Sequence, residues 1–135
     1  MIFFICFLTT VSALTAERAA LCQFAEAIPY LRTIGWKNCT EMTDSTNLFA
    51  SRGIVLMPMS KYTISIYDPA AIGTLPDVFD KIPNLEYFNL LLTSISGTLP
   101  ASFSRSMLIR VNFNGNPNLS GTLPSFPTTI QNLYQ

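Results

Sequence analysis

The chain has 135 residues, which is enough for one domain. Its 8 basic and 8 acidic side chains give a formal net charge of zero, so the sequence lacks the electrostatic signature of a protein that binds nucleic acid or an anionic membrane. Apolar residues make up 49% and charged residues 12%, which argues against disorder, and the absence of histidine removes the commonest general base and metal ligand.

Residues 1–16 predict a secretory signal peptide. Ile2 to Leu8 is an uninterrupted apolar run, and cleavage is expected after Ala13 or Ala16. The run is too short to span a bilayer, which requires about 20 apolar residues, and no later segment is as apolar over that length. No Lys or Arg precedes the run, and a buried N-terminal strand or helix is the alternative. A signal peptide predicts a secreted, extracellular protein.

Residues 17–60 form the region that precedes a set of repeats. Apolar side chains at helical spacing predict a helix over about 17–28, where Pro29 interrupts the pattern, and a second short turn near Tyr30 to Ile34. Residues 40–52 are polar with apolar islands and predict a connecting loop. Residues 53–57 and 62–67 predict two strands, which could join as a hairpin before the repeats begin.

Three cysteines bear on the redox state of the mature chain. Cys6 would leave with the signal peptide, and Cys22 and Cys39 would then be able to pair in an oxidising compartment. This disulfide would close a loop of about 18 residues and would stabilise the fold by about 3 kcal/mol. The alternative is two free thiols.

Two tripeptides match the acceptor sequence for N-linked glycosylation. They begin at Asn38 and at Asn118, and secretion would give both matches more weight. Because Cys39 is the middle residue of the first match, a disulfide there would be able to block that site.

The strongest internal signal is the tetrapeptide Gly-Thr-Leu-Pro, which occurs at 73–76, 97–100 and 121–124 with both spacings equal to 24 residues. The apolar pattern L-x-x-L-x-L that precedes the later copies predicts a short strand. The tetrapeptide itself predicts a tight turn at the glycine and a short helical or 3₁₀ segment after the proline. Each layer would bury its apolar face only against its neighbours. Leu75, Leu99 and Leu123 are therefore predicted to form one interior row.

The stretches LEYFNLLLTSISGTLP (85–100) and LIRVNFNGNPNLSGTLP (108–124) resemble the plant-type leucine-rich repeat. This resemblance implies an α/β solenoid, a right-handed superhelix with short parallel strands and an N-terminal helical cap. The cap would include Ala19 to Leu21, Trp36 and Cys39. About three repeats would occupy 61–135, the last of them incomplete, and Asn116 would take the place of the family's inter-layer asparagine.

The predicted strand register places one set of side chains on the concave face of the parallel sheet, where members of this family bind proteins, peptides or glycans. The row Thr63, Tyr87 and Arg110 would lie beside the row Ser65, Asn89 and Asn112. Tyr62 is also expected to point outward. The candidate ligand-binding residues are Thr63, Ser65, Tyr67, Glu86, Tyr87, Asn89, Arg110, Asn112 and Asn114.

The sequence gives no support for catalysis. Asp77 and Asp80 share a face of one short segment, but an exposed turn lacks the cleft that a pair of catalytic carboxylates requires. No metal-ligand spacing occurs, so no cofactor and no catalytic residue are predicted.

We therefore expect a secreted, non-enzymatic binding module for an extracellular protein, peptide or glycan. Two alternatives are an inactive fragment of a receptor-like ectodomain and an inhibitor of a secreted hydrolase. Because 130–135 resembles the start of a further strand and no capping unit follows, the C-terminal end is expected to be apolar and able to mediate self-association.

Overall fold

The computed structural model describes residues 17–36, 53–56, 61–126 and 132–134. The predicted signal peptide, the loop at 40–52, Asn38 and Cys39 lie outside the described residues. Two helices come first: α1 over 17–27, and α2 over Tyr30–Thr33, with Pro29 between them. This break confirms the predicted interruption, because the ring of Pro29 cannot continue the hydrogen-bonding pattern of α1.

The described residues include seven strands, which form two sheets. In chain order they are β1 (Ile54–Leu56), β2 (Tyr62–Tyr67), β3 (Ile72–Thr74), β4 (Leu85–Leu91), β5 (Ser94–Ser96), β6 (Arg110–Asn112) and β7 (Asn132–Tyr134). The larger sheet has the order β1-β2-β4-β6-β7, in which β1 is antiparallel to β2 and the other neighbours are parallel. β3 and β5 form a second, two-stranded parallel sheet.

Short 3₁₀ turns follow β3 and β5 of the second sheet and lead to β4 and β6 of the larger sheet. One is the 3₁₀ turn Phe79–Lys81 and the other is the 3₁₀ turn Ala101–Arg105. The first is followed by Pro83, which disfavours helical backbone at the preceding residue Ile82, so the turn ends at Lys81.

The predicted fold class is wrong. The described residues do not form an α/β solenoid or a leucine-rich-repeat right-handed superhelix, because both described α-helices precede the first strand and the segments that follow are only three and five residues long. The main sheet is also mixed, since β1 runs antiparallel to its neighbour. The architecture is two small sheets that share one core with the N-terminal helices.

A chain of aromatic rings runs through that core. Phe24 of α1 contacts Phe79 at a centroid distance of 5.8 Å, Phe79 contacts Phe103 at 5.2 Å, and Phe103 contacts Phe126 at 5.7 Å. All three pairs are edge-to-face, which is a favourable geometry worth about 0.5–1.5 kcal/mol per pair beyond the area buried. The rings tie α1 to the successive connecting turns.

The predicted interior row of motif leucines is wrong at its last member. Leu75 is buried and Leu99 is partly buried against the core, but Leu123 is 51% exposed. Strand β7, which follows Leu123 in the described chain, pairs with β6 in the larger sheet and leaves Leu123 exposed. A hollow of about 200 Å³ opens there. Its lining residues are Leu99, Phe113, Asn116, Leu119, Ser120, Gly121, Thr122 and Leu123.

Gly73 shows why the repeated tetrapeptide begins with glycine. Its φ is +123°, and a Cβ at this position would lie 2.0 Å from the carbonyl oxygen of Ala27. Any side chain would therefore collide with the last turn of α1 as well as require a left-handed backbone. Gly97 and Gly121 also have positive φ, at +85° and +82°.

Asn116 joins two layers through its side-chain amide. Its Oδ1 accepts hydrogen bonds from the Thr93 amide at 3.1 Å and the Thr93 hydroxyl at 2.6 Å. Its Nδ2 donates to the carbonyl oxygens of Leu90 and Phe113, both at 2.7 Å. The side chain thus pairs backbone groups at the ends of β4 and β6 that would otherwise lack partners.

Glu17 fixes the start of α1 to the sheet. The Tyr62 hydroxyl donates to Oε2 of this carboxylate, while the backbone amide and Nδ2 of Asn84 donate to Oε1 at 3.1 and 2.6 Å. Tyr62 is fully buried, so the prediction that it points outward is wrong. Burial, followed by the contact with Glu17, raises the pKa of the Tyr62 phenol well above its usual value.

Candidate binding face

The exposed side of the larger sheet brings most of the predicted residues together in two rows. Thr63 is the Cα partner of Tyr87, which in turn is the partner of Arg110. One step further along the strands, Ser65 is the partner of Asn89, which is the partner of Asn112. The intervening residues point into the core, because side chains alternate along a strand. We call these two rows the polar face.

Tyr87 and Arg110 are neighbours in the first row of the polar face. The guanidinium carbon of Arg110 lies 5.0 Å from the centroid of the Tyr87 ring, a cation–π geometry. Arg110 is exposed, Tyr87 is half-buried, and the structure gives Arg110 no carboxylate partner among the described residues. The ring therefore positions the guanidinium without neutralising its charge.

The second row is held by amide hydrogen bonds. Asn89 Nδ2 donates to the Ser65 hydroxyl at 3.1 Å, and Asn112 Oδ1 accepts from the Asn114 backbone amide at 3.1 Å. These bonds fix the orientation of both amides while leaving other donor and acceptor positions unused within the row. The row thus presents a preset hydrogen-bonding pattern.

An apolar and aromatic border lies at the carboxyl end of the strands. Tyr67 is 65% exposed and is the Cα partner of half-buried Leu91. Leu92 follows with a positive φ of 50° and an exposed side chain. Its backbone amide donates to the carbonyl oxygen of Asn114 at 3.0 Å, which places the exposed Asn114 beside this border.

Leu92 is not among the residues predicted for the binding face. The signal was present in the run Leu90-Leu91-Leu92. Only one of two adjacent strand residues can face the core, so three successive leucines must leave apolar surface outside it. Leu90 is the buried one.

Glu86 occupies a different environment from the rest of the predicted set. The register of β2 against β4 shifts between Tyr62 and Thr63, so Glu86 is opposite no residue of β2. It is half-buried, and its carbonyl oxygen accepts a hydrogen bond from Ile109 at 3.0 Å. Glu86 thus lies at an irregularity at the start of β4, next to the first row.

The two aspartates considered for catalysis each have a structural partner instead. Asp77 Oδ1 accepts a hydrogen bond from the Ser102 amide at 2.9 Å. The pKa of Asp77 is lowered, first by hydrogen bonding with the Ser102 side chain and then by the bond from this amide. Asp80 forms an ion pair with Arg105 at 3.1 Å. Both contacts connect the first 3₁₀ turn to the second. In the described ranges, no group of three or more candidate ligands is placed to hold a metal ion.

Of the residues predicted to be modified, Asn118 and Cys22 lie in the described part of the chain. Asn118 is exposed, in the turn that follows Asn116. Cys22 is buried in α1. Its predicted partner Cys39, and the other glycosylation candidate Asn38, are outside the described residues, so the disulfide and the Asn38 glycan stay predictions.

No family model matches the chain, and no solved structure matches it. The kinship with plant-type leucine-rich repeats therefore stays a prediction that depends on the sequence motifs. Among the helices that the structure describes, none has the length and apolar character needed to cross a membrane.

Proposed function

We propose that the chain is a secreted, non-enzymatic recognition module that binds an extracellular protein, peptide or glycan on its polar face. The observation that carries the proposal is the Tyr87–Arg110 pair in the first row of this face. Tyrosine and arginine are enriched among the residues that contribute most to binding free energy at interfaces.

Preorganisation supports the proposal. Tyr87 and Arg110 lie on paired strands, and the Asn89–Ser65 hydrogen bond restrains the neighbouring row. Binding would therefore cost these protein side chains little additional entropy, whereas ordering a mobile side chain otherwise costs about 0.5–1.5 kcal/mol.

The composition of the face favours recognition by hydrogen bonds and stacking. The second row is uncharged, and Arg110 is the one cation of the two rows. Its planar fork of donors matches a carboxylate bidentately, so we expect a ligand carboxylate or an array of hydroxyl groups to lie against Arg110. Tyr67 and Leu92 at the border would contact an apolar part of the same ligand.

Affinity measurements on the full-length secreted chain test the proposal. Arrays of glycans, peptides and extracellular proteins would identify a ligand, and its affinity would then be measured for Tyr87→Ala and Arg110→Ala. We expect each substitution to weaken binding by about 30-fold, which corresponds to the hot-spot threshold of about 2 kcal/mol. Lys81→Ala is the matched control, because Lys81 is an exposed cation on the first 3₁₀ turn and should leave affinity unchanged.

Equal affinity of wild type and both face variants for every ligand found would refute the polar face as the binding site. Secretion is tested separately by sequencing the N-terminus of the protein recovered from the culture medium. The proposal predicts that the mature chain begins at residue 14 or at residue 17, after cleavage of the signal peptide.

A further inference from the structure

We infer that Asn118 carries an N-linked glycan that screens the apolar hollow beside Leu123 from self-association. The inference depends on the proposed secretion of the chain, and it does not depend on the polar face. It assigns a physical role to one glycosylation motif from the position of that motif in the fold.

The conformation around Asn118 suits modification. Asn118 is exposed, and its side-chain amide makes no hydrogen bond to any residue that the structure describes. The turn is closed behind it by a hydrogen bond from the Leu119 amide to the Asn116 carbonyl oxygen at 3.2 Å. Leu119 packs against the core, so the turn is anchored while the acceptor nitrogen stays accessible.

Ser120, the third residue of the motif, is also exposed. Its backbone amide donates to the Gly97 carbonyl oxygen at 2.8 Å, whereas its hydroxyl makes only a long contact of 3.4 Å with the same oxygen. The backbone bond holds the motif in place, and the hydroxyl can be released to contact a transferase.

The chemistry of the step is a substitution at a sugar carbon. The Nδ2 of Asn118 forms a bond to the anomeric carbon of an oligosaccharide carried on a lipid pyrophosphate. The bond between that carbon and the phosphate oxygen breaks, and the lipid pyrophosphate leaves with the electron pair. The amide nitrogen gives up one proton to a base of the transferase, and no oxidant or reductant is needed.

The location gives the glycan its role. Asn116, Leu119 and Ser120 line the hollow, so residues on both sides of Asn118 form its rim. Leu123 and Leu99 supply apolar surface inside it. A hydrated oligosaccharide at the rim would keep the same surface of a second molecule from packing on this end.

The modification is tested by expressing the full chain in a secretory host and mapping glycopeptides by mass spectrometry. We expect wild type and Ser120→Thr to carry a glycosidase-sensitive oligosaccharide on the peptide that contains Asn118. Asn118→Gln and Ser120→Ala should lose it while still being secreted. A chain that protease protection places outside the secretory lumen, or a secreted chain that is unmodified at Asn118, would overturn the inference. Protease protection reports on the proposed secretion independently of glycan occupancy.

The screening role is tested by sedimentation velocity on secreted protein before and after enzymatic removal of the glycan. We expect the glycosylated chain to remain monomeric at concentrations at which the deglycosylated chain and Asn118→Gln self-associate. Adding Leu123→Asp to Asn118→Gln should restore the monomer, because it places a charge in the hollow. A deglycosylated chain that stays monomeric, or association that persists with Leu123→Asp, would overturn the screening role.

Discussion

Replacing Asn116 by alanine tests how strongly the layers depend on one side chain. The substitution removes four hydrogen bonds of 2.6–3.1 Å and leaves the buried Thr93 hydroxyl and amide without their acceptor. A net value of about 1 kcal/mol per bond, reduced because water can reach part of the site, gives an expected loss of about 2–4 kcal/mol in the free energy of unfolding. This would be a large fraction of the stability of a small domain.

Urea denaturation followed by circular dichroism measures this loss, with the slope of each transition checked for equality between variants. Asn114→Ala is the matched control, because Asn114 lies in the same turn and is exposed. We expect it to change stability by less than about 0.5 kcal/mol. Thr93→Val keeps the shape of Thr93 and removes its hydroxyl. Combined with Asn116→Ala it should show a coupling of about 0.5–3 kcal/mol.

Two results would refute the reasoning about Asn116. One is an unfolding midpoint for Asn116→Ala that coincides with that of Asn114→Ala. The other is strict additivity of Thr93→Val and Asn116→Ala, because it would show that these two side chains do not share an interaction.

The remaining predictions concern packing and pH. Gly73→Ala should lower the midpoint of thermal unfolding more than Gly35→Ala, because both positions have positive φ but, of the two, only Gly73 would place the added Cβ against backbone atoms. Equal shifts of the midpoint would refute the steric argument. The free energy of unfolding should fall as the pH rises above 10.0, because the raised pKa of Tyr62 keeps its phenol neutral in the folded chain while the phenol of the unfolded chain ionises. In urea titrations at alkaline pH, Tyr62→Phe should therefore show a weaker dependence of stability on pH. At acid pH, the lowered pKa of Asp77 stabilises the fold above the unfolded pKa of about 3.8, and this stabilisation is lost as the pH falls through the lower pKa of the folded state. Asp77→Asn should therefore reduce the dependence of stability on pH in this range.

The strand pairing of the polar face could be predicted from the sequence because it depends on two regular patterns. Side chains alternate along a strand, and the apolar positions Leu85, Phe88 and Leu90 of one repeat align with Leu108, Val111 and Phe113 of the next. Thr63, Tyr87 and Arg110 therefore lie in one row, as the spacing indicates. Tyr62, Ile64 and Ile66 are alternate residues of one strand, so the same rule predicts that all three are buried. The expectation that Tyr62 points outward was inconsistent with this alternation.

Other features depend on contacts between distant segments. The buried Glu17 is an example, because its partners Tyr62 and Asn84 are 45 and 67 residues away and no local pattern identifies them. The exposure of Leu123 likewise depends on which layer packs beside it. The fold class was wrong because a short motif resemblance implies an architecture, whereas the described segments between the strands are only 3₁₀ turns.

The strand register that assembles the polar face can be tested directly by nuclear Overhauser measurements in solution. Parallel pairing predicts contacts between the backbones of Asn89 and Ser65 and between those of Asn89 and Asn112. It also predicts side-chain contacts from the Tyr87 ring to Arg110. A register shifted by one residue, or antiparallel contacts between these strands, would separate Tyr87 from Arg110 and contradict the proposed binding face.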